Sequence, residues 1–164
     1  MKTLLLLRHA KTEKEDPQGD AARALTERGK HDAATIGRKI LELTGRPDVI
    51  VASDARRAQQ TAEIVTAELE FEGPVTTEPS IYAAYPDDIL RVVRKLPNKA
   101  ASALLIGHNP GFEDLAGILA GTPSPYPHLP TAGVAFLEFE VDRWRDVREG
   151  KGRLRGIYSP KEIT

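Results

Sequence analysis

The chain has 164 residues, enough for one domain with a substantial core. Its 23 lysines and arginines nearly cancel 24 aspartates and glutamates, leaving a formal net charge of −1, so the overall basic footprint of a nucleic-acid binder is missing. With no cysteine, disulfides, thiolate catalysis and Cys-ligated zinc or iron–sulfur clusters are excluded.

Met1-Lys2-Thr3 and the leucines behind them form too short an apolar run for a signal peptide, and no small-residue cleavage site follows. No stretch approaches the roughly 20 apolar residues that a membrane span needs, so a soluble, cytoplasmic protein with no membrane partner is expected. Leu4 to Leu7, bounded by charge, reads as a buried strand that ends at Arg8-His9-Ala10. Lys11 to Ala22, with Pro17 and Gly19, reads as a loop able to close over a site. Thr26 is placed to cap a helix carrying Ala33, Ile36, Gly37 and Ile40, which Gly45 and Pro47 end. Val49 to Ala52 gives a second buried strand, and Ala58, Thr61, Ala62, Val65 and Leu69 share one face of a second helix.

Val75 to Thr77 reads as a short strand. Pro86 fits the first turn of a third helix on Ile89, Val92, Val93 and Leu96. Ala103 to Ile106 is another buried strand, followed by a helix on Phe112, Leu115, Ala116 and Leu119. Thr122 to Pro130 is crowded with prolines and irregular; Val134 to Phe139 closes the sheet, and Leu154 to Tyr158 adds an edge strand. Strands alternating with helices imply an α/β fold of three layers, α/β/α, around a mostly parallel central sheet covered on both faces. No repeat or linker interrupts the chain, so residues 1–164 are read as a single domain.

Three strands end in side chains suited to a phosphate, and strand C-termini are where open α/β sheets bind ligands. The first ends at Arg8-His9. The second ends at Ser53, with Arg57 in the first turn of the next helix, and the strand at Ile106 runs into Gly107-His108-Asn109-Pro110-Gly111. Guanidinium forks match phosphate oxygens, neutral imidazole is a nucleophile or base, and helix N-termini favour anions. Singly, each has an ordinary reading: a strand-end salt bridge at Arg8-His9, a surface helix residue at Arg57, a turn at His108. Their shared position points to one site.

Arg8-His9-Ala10, the segment Ser53 to Thr61 with Arg57, Ala58, Gln60 and Thr61, and His108 in Ile106-Gly107-His108-Asn109-Pro110 resemble the histidine phosphatase (phosphoglycerate mutase-like) superfamily. Leu25 to Gly29 resembles the family's first helix start. The compact size and the Gly-His-Asn-Pro segment look most like the small phosphohistidine phosphatase branch of the SixA type. The resemblance implies a phosphoglycerate mutase-like fold, His9 as nucleophile, and Arg8, Arg57 and His108 as catalytic ligands of the phosphoryl group; Asn109 is a further candidate phosphate-binding residue. Two guanidiniums near His9 should lower its pKa, while His108 could become protonated once a phosphate dianion binds.

The sequence departs from the larger family at the general acid. The position after the second histidine is Asn109, and Pro79 to Tyr85 holds no acid. Asp54, Asp87, Asp88 and Glu113 remain candidates, though carboxylates at helix starts are usually dipole or capping residues, and the acid is left unassigned. General acid help is typically worth about 10²–10⁴-fold, which a phosphate monoester needs and a phosphohistidine, leaving as imidazole, does not. The favoured function is therefore hydrolysis of phosphohistidine on a signalling or phosphotransfer protein through phospho-His9. A broad or small-molecule phosphomonoesterase is the alternative, and a non-enzymatic phosphate-binding module a weaker one. Lys11, Thr12 and Thr131 are candidate rim residues. Asp20 and Arg23 are read as a local salt bridge in preference to the pocket rim. No metal-ligand spacing occurs among the four histidines, so no metal or other cofactor is expected.

Overall fold

The structure, a computed structural model, describes residues 1–162. Six strands form one sheet: β1 (Lys2–Arg8), β2 (Val49–Ala52), β3 (Val75–Thr77), β4 (Ser102–Gly107), β5 (Val134–Phe139) and β6 (Gly152–Tyr158), in the order β3-β2-β4-β1-β5-β6. The first four run parallel. β5 is antiparallel to β1, and β6 to β5, so the sheet is mostly parallel with an antiparallel edge. Four helices follow the sequence reading: α1 (Glu27–Thr44), α2 (Arg56–Leu69), α3 (Pro86–Arg94) and α4 (Gly111–Ala120).

The leucine run is explained by two cores. Leu5 and Leu7 pack with Ile36 and Ile40 of α1 and with Ala62, Val65 and Leu69 of α2. Leu4 and Leu6 pack on the opposite face with Ile89 and Val93 of α3 and with Phe112, Leu115 and Leu119 of α4. Side chains alternate along a strand, so a strand covered on both faces must be apolar at every position. All four leucines are fully buried, each worth about 1.5–3 kcal/mol relative to exposure. Trp144 closes the edge of the α3/α4 core, its indole N–H donating to the Ala100 carbonyl at 2.8 Å.

The helix boundaries have local causes. Thr26 Oγ1 accepts the Gly29 N–H at 3.0 Å and caps α1, and Gly45 at φ 74° ends it with its N–H on the Leu41 carbonyl. Pro86 occupies the first turn of α3, where its missing N–H costs nothing. Leu96, read as part of that helix, lies just past its end but is still buried in the core. The stretch from Thr122 to Pro130 is irregular, as its prolines require.

Gly29 is where the start of α1 meets the chain leaving β1. A Cβ there would stand 2.1 Å from the Lys11 carbonyl oxygen, itself held by the Thr26 N–H at 3.0 Å. Because the obstacle is backbone, Gly29→Ala should destabilise the fold by about 1–3 kcal/mol. Urea unfolding monitored by the single tryptophan will measure it.

Candidate active site

Register builds the floor of the site. β1 pairs with β4 so that Arg8 lies opposite Gly107, and β4 pairs with β2 so that Ile106 lies opposite Ala52. The next residues, His9, His108 and Ser53, therefore leave the sheet side by side. The His9 and His108 rings sit 5.3 Å apart, and His108 Nε2 is 2.7 Å from Ser53 Oγ. α2 starts just past Ser53, and its first turn carries Arg57 to the same end.

His9 is buried and its tautomer is set locally. Nδ1 lies 2.8 Å from the Ala10 carbonyl, an acceptor, so Nδ1 carries the hydrogen and Nε2 holds the lone pair. The Ala10 N–H donates to Thr61 Oγ1 at 3.1 Å, which fastens the turn after β1 to α2. Burial pushes the His9 pKa down to about 4, and the guanidiniums of Arg57, Arg8 and Arg23 add to the shift. The direction matches the sequence expectation, but desolvation leads, not the guanidiniums. His108 lies lower still, at about 3, through burial and then the neighbouring His9 and Arg57.

Arg8 continues the alternation of β1 toward the α3/α4 face, where Nη1 donates to the Leu129 carbonyl at 3.2 Å. Arg57 is fixed by Asp20, with Nη1 on its backbone carbonyl at 2.8 Å and Nη2 on its carboxylate at 3.0 Å. Arg8 Nε, Arg57 Nε and His108 Nδ1 are buried without a hydrogen-bond partner among the described residues. Buried polar atoms left without partners are costly, and their clustering marks this as a site and not ordinary core. Two guanidinium donors and an imidazole nitrogen near the neutral imidazole of His9 suit a tetrahedral oxyanion such as phosphate.

The remaining candidates divide. Thr131 adjoins the site through Ala132, whose N–H bonds the Arg8 and His9 carbonyls at 3.1 and 3.0 Å. Thr12 Oγ1 accepts from Arg23 Nη1 at 3.0 Å, and Lys11 is exposed at the rim. The Asn109 side chain has two partners: Nδ2 donates to the Leu129 carbonyl at 2.8 Å, and Oδ1 accepts the Glu113 N–H at 3.2 Å. It ties the proline-rich loop to the start of α4, and one Nδ2 hydrogen is left over for a further acceptor. Glu113 holds that loop too, accepting the Leu129 N–H at 2.8 Å and meeting His128 Nδ1 at 2.7 Å. Asp88 caps α3 through the Tyr85 N–H and pairs with Arg91, while Asp54 and Asp87 are exposed.

A carboxylate hydrogen-bonded into the cluster is Asp20, read from sequence as a local partner of Arg23. It does pair with Arg23 at 3.0 Å, but it also binds Arg57 and accepts from the Tyr82 hydroxyl. Tyr82 stands edge-on to His108 at 5.4 Å and under the Arg57 guanidinium at 5.8 Å. The Tyr82 hydrogen bond, with the Arg57 and Arg23 charges, holds the Asp20 pKa down to about 2. Neither Asp20 nor Tyr82 carries a sequence signal that singles it out; both arrive from loops. Among the described residues no group of three or more His, Asp or Glu side chains is arranged to hold a metal ion, and no helix is long and apolar enough to cross a membrane.

The family model of the histidine phosphatase superfamily (branch 1) matches residues 4–82, the span that holds Arg8, His9, Ser53 and Arg57. Similar solved structures include a SixA chain from Agrobacterium tumefaciens, 27% identical with a TM-score of 0.80 over 97% of this chain and 98% of that one. Another is the protein histidine phosphatase SixA complexed with tungstate, 21% identical with a TM-score of 0.84 over 99% of both chains. An uncharacterized Mycobacterium tuberculosis protein is 28% identical over 163 residues, 94% of this chain and all of that one. This chain is similar to the histidine phosphatase superfamily over residues 4–82 and has a SixA-like, phosphoglycerate mutase-like fold.

The two depressed imidazoles make stability depend on pH with a definite sign. Between the ordinary histidine pKa near 6.5 and the folded values of about 4 and 3, the unfolded chain binds protons that the folded site refuses. Stability is therefore full above pH ~6.5 and falls as pH is lowered through that window. Replacing His9 and His108 together with asparagine should flatten the dependence. Denaturation midpoints at pH 7 and pH 4.5 will compare the two chains, and NMR titration of the His9 ring should give a midpoint near 4.

Proposed function

We propose that this protein is a metal-independent phosphatase that hydrolyses phosphohistidine on a signalling or phosphotransfer protein through a covalent phospho-His9 intermediate. The observation that carries this reading is the set of buried, unpartnered nitrogens, Arg8 Nε, Arg57 Nε and His108 Nδ1, on residues beside a buried imidazole whose Nε2 is unprotonated. Phosphoryl transfer spreads charge over three equatorial oxygens, and fixed positive charge with correct placement supplies most of the catalysis. His9 Nε2 attacks phosphorus, the substrate nitrogen departs, and water later releases inorganic phosphate from His9.

His108 acts as a donor to the phosphoryl group when Nδ1 carries its hydrogen. Ser53 sets that tautomer: its hydroxyl donates to His108 Nε2, while its oxygen accepts the Ala55 N–H at 3.3 Å. As the dianion binds, the attraction between charges favours protonation of His108 as well.

Substrate class follows from the acid. Asp20, the carboxylate bonded into the cluster, is held ionised at neutral pH by its low pKa of about 2 and has no proton to give. Asp54, Asp87, Asp88 and Glu113 are exposed or committed to caps and loop contacts. Without an acid, expelling an alkoxide loses roughly 3–5 kcal/mol of help, whereas imidazole leaves without it. SixA-type neighbours of this fold, one described as a protein histidine phosphatase, favour the same substrate.

Phosphate release from a phosphohistidine-bearing carrier and from alkyl phosphate monoesters, with EDTA present, tests the reading. Turnover of phosphohistidine should exceed that of the monoesters and be undiminished by EDTA, and His9→Ala should lower it by at least about 10³-fold. Rapid, selective turnover of one monoester would transfer the assignment to small-molecule metabolism; no turnover of either would leave a binding module. Ser53→Ala should lower kcat about tenfold and move the His108 hydrogen from Nδ1 to Nε2, read from ring nitrogen shifts.

A further inference from the structure

Asp20 lies beyond the ring of phosphate donors, and its position assigns it more than the support of Arg57. His9, Arg57 and His108 are buried, Tyr82 and Arg23 are half-buried, and the Asp20 side chain is 53% exposed. The cluster thus grades from buried His9, Arg57 and His108 to the exposed carboxylate of Asp20. An in-line displacement puts the leaving group opposite the attacking atom, so the group expelled by His9 points outward, toward that exposed end.

An ionised carboxylate has about four lone-pair positions on its two oxygens. On Asp20, Arg23 Nε takes one on Oδ1, and Arg57 Nη2 and the Tyr82 hydroxyl take two on Oδ2. One position on the solvent-facing carboxylate stays open for a further donor. We propose that Asp20 determines leaving-group specificity, accepting a hydrogen bond from the protonated distal ring nitrogen of a phosphohistidine and so favouring a cationic phosphorylated ring, which departs as neutral imidazole, over alkoxide or phenoxide leaving groups. This rests on the phosphohistidine reading above and names the residue that would select for it.

The step balances without an added acid. His9 Nε2 forms its bond to phosphorus as the P–N bond to the substrate ring breaks, and the electron pair of that bond returns to the substrate nitrogen. The ring, cationic beforehand, leaves as neutral imidazole with its proton still on the distal nitrogen beside Asp20. Asp20 never gives up or takes a proton, in keeping with the donors that hold it ionised.

Asp20→Asn keeps the size of the side chain and one oxygen for Arg57 while removing the charge. Free phosphohistidine and phenyl phosphate are the two probes, compared by kcat/KM for wild type and variant, with thermal melting to show that the variant is folded. The ratio of phosphohistidine to phenyl phosphate should fall about 10–100-fold in the variant, the worth of a charge-assisted hydrogen bond. A ratio left unchanged, with both rates falling together, would mean that Asp20 only positions Arg57 and would overturn the assignment. If the wild type hydrolyses phenyl phosphate through His9 but leaves phosphohistidine intact, the substrate reading fails, and the role of Asp20 fails with it.

Discussion

The parallel register of β1 on β4 is the constraint on which this site depends. With Arg8 opposite Gly107, both histidines emerge from adjacent strands at one level, and their rings have no choice but to be neighbours. The register is fixed because each strand is buried on both faces. A slip of one residue would exchange Leu4 and Leu6 with Leu5 and Leu7 between two differently shaped cores and displace His9 relative to His108. The packing of the leucines and the geometry of the chemistry are thus one requirement. Gly107 belongs to it too: a Cβ there would stand 2.5 Å from the Phe112 ring, which seals the α3/α4 core beneath His108.

Crowding two imidazoles and two arginines at a buried end of a sheet is unfavourable, and the structure shows how the charge is distributed. Burial keeps the imidazoles neutral. Arg8 is anchored on the Leu129 carbonyl of the proline-rich loop, and that loop is held in turn by Asn109 and Glu113. Arg57 is anchored on Asp20 from the opposite side. Each guanidinium is therefore held through its terminal nitrogens, and each Nε is buried without a hydrogen-bond partner among the described residues. Such an arrangement is preorganised: the donors are fixed before substrate arrives, so little reorganisation accompanies the transfer.

Much of this was legible in the chain. The strands and helices follow from apolar runs, caps and prolines, and the ordering Arg8-His9, Ser53 to Arg57, His108 at successive strand ends follows from them. Three readings of individual residues were incomplete without the tertiary structure. Asn109, read as a phosphate-binding residue, also holds a loop, because its amide can satisfy a carbonyl and a helix N–H at once. Asp20 looked local to Arg23 but reaches across to Arg57 and Tyr82, 37 and 62 residues away. The lowered pKa of His9 was traced to guanidiniums, whereas its burial matters more, and depth of burial is not written in the residues beside it.

By itself the sequence determined what is local: which segments become strands or helices, where they stop, and which reactive side chains stand at their ends. These depend on neighbours within a few residues, through side-chain alternation, capping and backbone restriction. Tertiary structure decided the strand order, the antiparallel edge, the depth of the histidines, and which carboxylate enters the site. Those outcomes come from contacts between residues far apart in the chain. They are set by how two cores close on one sheet and by which loops the closure brings to its edge.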